Sequence, residues 1–202
     1  MDKDNDGIKA AFAARLPVLL ALANVLESGT REELEGVPHI DRIVFRVKES
    51  TSFVTKALRP KYEAPLTEIE DQVAGRIITF FRDDIPIVRE HLESRFGAVE
   101  HKVREPEEPD EFGYESDHFV FVIPEHLKPD GWNDLDDMPT TFELQLRTLF
   151  MHAWAEPQHD LAYKPDEIDR LSKKELAWAA ASAWGADRVL NDVAHRLGAF
   201  AE

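Results

Sequence analysis

Cysteine is absent from the 202 residues, which excludes disulfides and any zinc or iron–sulfur centre built on thiolates. Positive charge is scarce: 24 Lys and Arg stand against 40 Asp and Glu, for a formal net charge of −16. So acidic a chain is a poor partner for nucleic-acid backbones or anionic membranes at large, although a local basic pocket remains open to it. Long apolar runs are missing too. The longest, Leu16 to Ala23, falls short of the roughly 20 residues that span a bilayer. The polar, acidic start from Met1 to Asp6 is unlike a secretory or mitochondrial leader. A cytoplasmic protein without a membrane segment is expected. The 43% hydrophobic content is enough for one core.

What is present reads as alternating helices and strands. Apolar residues at helical spacing predict a helix from Ile8 to Leu26, stopping near Ser28-Gly29. Thr30-Arg31-Glu32-Glu33 would cap a short second one. Ile40–Lys48 is β-branched and partly alternating, hence a strand, and Ser50–Leu58 is a short helix. Gly75–Phe81 is nearly all apolar, as a central strand would be. A helix over Asp84–Phe96 follows, then strands at Val99–Val103, His118–Ile123 and Thr140–Leu146. A helix starts at Leu149, and Pro157 is expected to bend or break it. From Ser172, another capping box opens a long amphipathic helix. The predicted architecture is α/β (α+β), a central mixed sheet of about five strands flanked by helices and nucleotidyltransferase-like. Its core would cover 38–165, with helical segments at 1–37 and 166–202.

Two short segments carry most of the chemistry. Asp71-Gln72-Val73-Ala74-Gly75-Arg76 runs into the central apolar strand, and Glu143-Leu144-Gln145-Leu146-Arg147-Thr148 ends another. Each sets one carboxylate beside a strand, with an arginine four or five residues on. Two such carboxylates suit Mg²⁺, and the arginines suit phosphates or a base. Either acid alone reads equally well as a solvated edge residue. A third feature is Arg46-x-Lys48-x-x-x-Ser52-x-x-x-Lys56, inside the cationic stretch Arg42 to Lys61. It is a triphosphate-site candidate; a solubilising basic patch is the alternative. In Phe112-Gly113-Tyr114-Glu115-Ser116-Asp117-His118, alternation puts Tyr114, Ser116 and His118 on one face, where a ring could stack on a base. A core-edge tyrosine would look the same. Met151-His152-Ala153-Trp154-Ala155-Glu156, followed by His159 and Tyr163-Lys164, offers two histidines. Since Mg²⁺ prefers oxygen, hydrogen bonding or packing suits both better than metal binding.

Taken in order from about His39 to Lys164, these elements resemble the synthetase domain of the RelA/SpoT family, particularly its small stand-alone alarmone synthetases. The matching patterns are Arg-x-Lys-x-x-x-Ser-x-x-x-Lys, Asp-x-x-(Gly/Ala)-x-Arg, Gly-Tyr-x-Ser-x-His, Glu-x-Gln-(Ile/Leu)-Arg-Thr and Trp-Ala-x-x-x-His-x-x-x-Tyr-Lys. The resemblance implies an enzyme that uses ATP and Mg²⁺ to move the β,γ-pyrophosphate onto the 3′-hydroxyl of GDP or GTP, giving (p)ppGpp. It implies that Arg46 and Arg76 sandwich adenine and that Lys48, Ser52 and Lys56 hold the ATP phosphates. Asp71 and Glu143 would bind Mg²⁺, with Glu143 taking the proton of the 3′-hydroxyl. Tyr114 would stack on the acceptor base, while His118, Gln145 and His152 would line the acceptor site. Arg147 would support the metal-side geometry.

The chain departs from the pattern in two places. Glu105 to Phe112 is almost wholly acidic where relatives carry lysine or arginine, and His152 stands where asparagine is common. The alternatives are therefore a toxic synthetase acting on adenine nucleotides or the tRNA 3′ end, tRNA being disfavoured by charge, and a catalytically silent nucleotide- or partner-binding module. His159-Asp160 has no histidine-rich partner, so the family's hydrolase activity is not expected, and an antitoxin-like protein is one means of control. The stripe Leu190, Val193, Leu197 and Phe200 would serve either a homo-oligomer or packing within the chain.

Overall fold

In the computed structural model the described residues are 5–106, 112–113, 116–162 and 168–200. Their helices are α1 (Asn5–Glu33), α2 (Ser50–Ala57), α3 (Pro65–Glu68), α4 (Asp84–Arg95), α5 (Leu149–Ala162) and α6 (Arg170–Arg196). The strands are β1 (Ile40–Val47), β2 (Val73–Thr79), β3 (Ala98–Arg104), β4 (Ser116–Val122) and β5 (Thr141–Thr148). They form one sheet in the order β1-β2-β5-β4-β3. Only the β2–β5 pair is parallel. The mixed five-stranded sheet expected from the sequence is therefore present.

One sheet face builds the core. Ile43, Val73, Ile77, Phe119, Phe121, Phe142, Leu144 and Leu146 are buried there, joined by Val88 and Leu92 of α4. Phe96, Phe121 and Phe142 pack ring against ring at 5.2–5.6 Å between centroids. Phe12, Leu19, Leu22 and Leu26 of α1 are fully buried, and Phe12 stacks on Phe53 of α2 at 4.0 Å. By length and composition α1 would suffice to cross a membrane; here it lies against the core with this face buried.

Three local expectations are corrected. Helix α1 does not stop at Ser28-Gly29 but continues to Glu33, so no second helix starts at Thr30. Tertiary contacts hold this last turn. Glu27 accepts a hydrogen bond from the Phe45 backbone N–H at 2.9 Å, Arg31 donates to the Ile43 carbonyl, and Thr30 is fully buried. Pro157 does not break α5. The carbonyl left without a helical donor belongs to Ala153, which is exposed and can be hydrated. Helix α6 starts before the expected Ser172 box. Asp169 caps it, accepting from Leu171 N at 2.9 Å and Ser172 N at 3.1 Å, so a carboxylate satisfies the orphan N–H groups a turn earlier.

The expected α6 stripe is divided. Leu190 and Leu197 are exposed, but Phe200 packs on His39 and Phe81. Around it, Asp84 meets His39 at 3.0 Å and Asn191 accepts from Asp83 N at 3.1 Å. The end of the chain thereby ties itself to the β2–α4 turn.

Gly75 is required by the packing of β1 on β2. A Cβ there would lie 2.6 Å from the Phe45 ring, its cross-strand neighbour. Gly75→Ala should therefore destabilise the protein by about 1–3 kcal/mol, read as a lower urea midpoint. Adding Phe45→Leu should recover part of the loss.

Candidate active site

Strand alternation puts the second sheet face in rows. Across β1, β2, β5 and β4, one row reads Arg46, Ala74, Glu143 and Val120; the next reads Val44, Arg76, Gln145 and His118. Lys102 of β3 extends the second row, and Arg42, Ile78 and Arg147 form a third. Thus β2 and β5, parallel and adjacent, deliver both sequence segments to one surface. Helix α5 turns back over the Arg76–Arg147 side.

The expected triphosphate corner assembles at the end of β1. Lys48 Nζ lies 2.6 Å from one oxygen of Asp71, and Lys56 Nζ lies 3.0 Å from the other. Asp71 sits in the 3₁₀ turn Glu70–Gln72 that leads into β2. Burial works against its charge, but the hydrogen bonds and charges of Lys48 and Lys56 outweigh that and hold its carboxyl below the usual range. Lys56 is likewise raised, Asp71 and Tyr62 overcoming its own burial. Ser52 is exposed one helical turn before Lys56. Of the larger cationic stretch, Arg42 pairs with Asp41 at 3.7 Å, and Arg59 and Lys61 are exposed. The corner is narrower than the sequence cluster.

Glu143 stands at the same end of the neighbouring strand as Asp71. Its charge reaches the 3₁₀ turn: Glu70 is raised by burial and then by the charges of Glu100 and Glu143. One Glu143 oxygen accepts from Gln145 Nε2 at 2.7 Å and has His118 Nδ1 at 3.7 Å. Glu143, Gln145 and His118 are therefore brought together as expected. Tyr114 lies outside the described residues, as do Glu107–Glu111, Tyr163 and Lys164.

Arg147 reaches the start of α5. Nearly fully buried, it donates from Nη2 to His152 Nδ1 at 2.9 Å and to Glu156 Oε1 at 2.7 Å. Arg147 thus sits in the third row, turned to α5. Arg76 Nη1 meets the same Glu156 oxygen at 2.9 Å. Burial opposes the Glu156 charge, but Arg76 and Arg147 keep its carboxyl below the ordinary range. His152 is lowered by burial and by Arg147 and Arg76, consistent with a neutral ring accepting at Nδ1. Glu156 is the functional candidate that motif reading passed over. Its position i+4 from His152 was the available signal, but only the fold shows the arginines opposite.

Among the described residues no group of three or more His, Asp or Glu is arranged to hold a metal by itself. A pair of carboxylates is nonetheless enough for Mg²⁺ when substrate phosphates and waters complete the shell. The donor set of Asp71 and Glu143 fits that chemistry.

A mixed sheet with one face packed by helices, and the other carrying paired carboxylates among lysines and arginines, defines a nucleotide-phosphate transfer class. Comparison with known proteins agrees. The profile of the region found in RelA / SpoT proteins matches residues 45–168. The chain belongs to the RelA/SpoT family. It is 34% identical over 160 residues to the GTP pyrophosphokinase YjbM of Bacillus subtilis (strain 168), covering 76% of this chain and 72% of the relative. YwaC of the same organism, also named a GTP pyrophosphokinase, is 29% identical over 156 residues, 73% and 70% of the two chains. The crystal structure of small alarmone synthetase 1 from Bacillus subtilis superimposes with a TM-score of 0.74 at 27% identity, covering 92% and 96%. Its complex with the product pppGpp gives 0.70 at 26%, again covering 92% and 96%.

His118 yields a pH prediction. Burial, then the charges of Arg104 and Arg147, push it down from 6.5 to about 4. The unfolded chain takes up this proton near its ordinary value and the folded one does not. Stability attributable to His118 is therefore full above about pH 6.5 and falls as pH drops toward about 4. His118→Gln should flatten that part of the urea-midpoint profile relative to the unsubstituted protein.

Proposed function

We propose that the chain is an ATP-dependent pyrophosphotransferase that moves the β,γ-pyrophosphate of ATP to the 3′-hydroxyl of GDP or GTP, yielding (p)ppGpp. The observation that carries this reading is the convergence of Lys48 and Lys56 on Asp71, beside Glu143 on the adjacent central strand. Without substrate the two lysines neutralise Asp71. A triphosphate would offer them a denser anion, leaving the Asp71 carboxylate able to serve as a metal ligand. The related small alarmone synthetase 1 has been crystallised with AMPCPP, at 26% identity and a TM-score of 0.67, which supports a nucleotide triphosphate in this place.

Arg46 and Arg76 occupy diagonal positions of β1 and β2, Arg46 opposite Ala74 and Arg76 opposite Val44, and would flank the adenine; Ser52 would add a hydroxyl to the phosphates. Asp71 and Glu143 would hold Mg²⁺, whose chemistry when bound is to neutralise charge developing on the phosphate oxygens. The acceptor's 3′ oxygen forms a bond to the β-phosphorus, the bond from that phosphorus to the α,β-bridging oxygen breaks, and AMP departs. The hydroxyl proton goes to Glu143, held in place by Gln145. Neutral His118 and His152 line the acceptor side, with Tyr114 as the stacking ring. Positioning and charge neutralisation are what phosphoryl-type transfer chiefly demands.

Two measurements test this. With γ-labelled ATP, Mg²⁺ and separately GDP, GTP, adenine nucleotides and tRNA, label should pass to GDP or GTP. Transfer to tRNA or adenine nucleotides alone would replace the proposed acceptor, and no transfer to any would leave a silent binding module. Glu143→Gln should lose at least about 100-fold in turnover while retaining the fold and ATP-analogue binding. Turnover equal to that of the unsubstituted enzyme would remove Glu143 from its role.

A further inference from the structure

Glu156 occupies one of the unspecified positions of the Trp-Ala-x-x-x-His pattern, so the family resemblance gives it no role. Its geometry does. One oxygen, Oε1, binds Arg76 of β2 at 2.9 Å and Arg147 of β5 at 2.7 Å, with His152 Nδ1 at 3.7 Å. Two guanidinium groups thus share a single carboxylate oxygen. Arg42 adds a further positive charge, the smallest of the contributions that lower His152 after burial, Arg147 and Arg76. An exposed pair of this kind usually contributes little. Here the bridge has a different effect, because the two cations it joins differ in freedom. The Arg147 side chain is only 3% exposed and is fixed by His152, whereas that of Arg76 is 26% exposed. If the carboxylate is removed, the cations repel, and Arg76 is the one able to move.

We infer that Glu156 is a positioning residue for the donor nucleobase: it grips the edge of the Arg76 guanidinium so that its flat face stays presented for stacking, and it screens Arg76 from buried Arg147. A planar guanidinium can serve as a stacking platform only while its orientation is held. The inference rests on the reading of Arg76 as part of the ATP site. Glu156 pairs with Arg76 and Arg147, whereas Lys48 and Lys56, the phosphate candidates, are held by a different carboxylate, Asp71. The influence of Glu156 should therefore be confined to the base.

That confinement is the test. Titration calorimetry on the full chain with Mg²⁺ compares α,β-methylene ATP with inorganic tripolyphosphate, using the unsubstituted protein, Glu156→Gln and Glu156→Ala. The nucleotide analogue should bind Glu156→Ala about tenfold more weakly, and Glu156→Gln, which keeps a neutral acceptor, should fall between. Tripolyphosphate affinity should stay within about twofold for both variants, as expected for separated sites. Equal losses for both ligands would show a general electrostatic or folding effect and overturn the inference. Unchanged or tighter analogue binding would overturn it as well. If the unsubstituted protein bound neither ligand, the donor-site reading beneath it would fail instead.

Discussion

Strands β2 and β5 pair in parallel, with Ala74 opposite Glu143 and Arg76 opposite Gln145, and the placing of Glu143, Gln145 and Arg147 beside the residues of β2 depends on that register. Parallel neighbours cannot be joined by a tight turn; here α4, β3 and β4 fill the connection. Side chains alternate between faces, so a slip of one residue would send Glu143, Gln145 and Arg147 into the core and leave Leu144 and Leu146 exposed. The fully buried leucines therefore fix the position of the polar residues between them. Core packing and site geometry are here one constraint.

The second theme is charge compensation in a chain with a large acidic excess. Each cationic cluster on the polar face is matched by one carboxylate: Lys48 and Lys56 by Asp71, Arg76 and Arg147 by Glu156. Burial works against the charges of Asp71 and Glu156, and their lowered carboxyl groups show that attraction outweighs it. Such a surface holds its cations in place without substrate. In the proposed reaction the two carboxylates would differ in role: Asp71 would serve as a metal ligand, while Glu156 would keep its arginines.

Reading the sequence succeeded where a local pattern has a single physical solution. Alternation and β-branched residues located the strands. It failed where distant partners intervene. Gly29 looks like a helix terminator, yet contacts of Glu27 and Arg31 with β1 carry the helix past it. Pro157 looks like a breaker, but its orphaned carbonyl is solvated. The contacts of Arg147 with His152 and Glu156 depend on the return of α5 across the sheet, which no periodicity reveals.

The sequence by itself determined the element types, the polar and apolar faces of each strand and the chemical kinds of residue at the site, because these follow from backbone periodicity and side-chain chemistry within short stretches. Only the tertiary structure decided that Lys48 and Lys56 share Asp71, that Arg76 and Arg147 share Glu156, and that Phe200 folds back onto His39 and Phe81. Those choices are set by packing between elements remote in the chain, where a few ångströms determine which opposite charges meet.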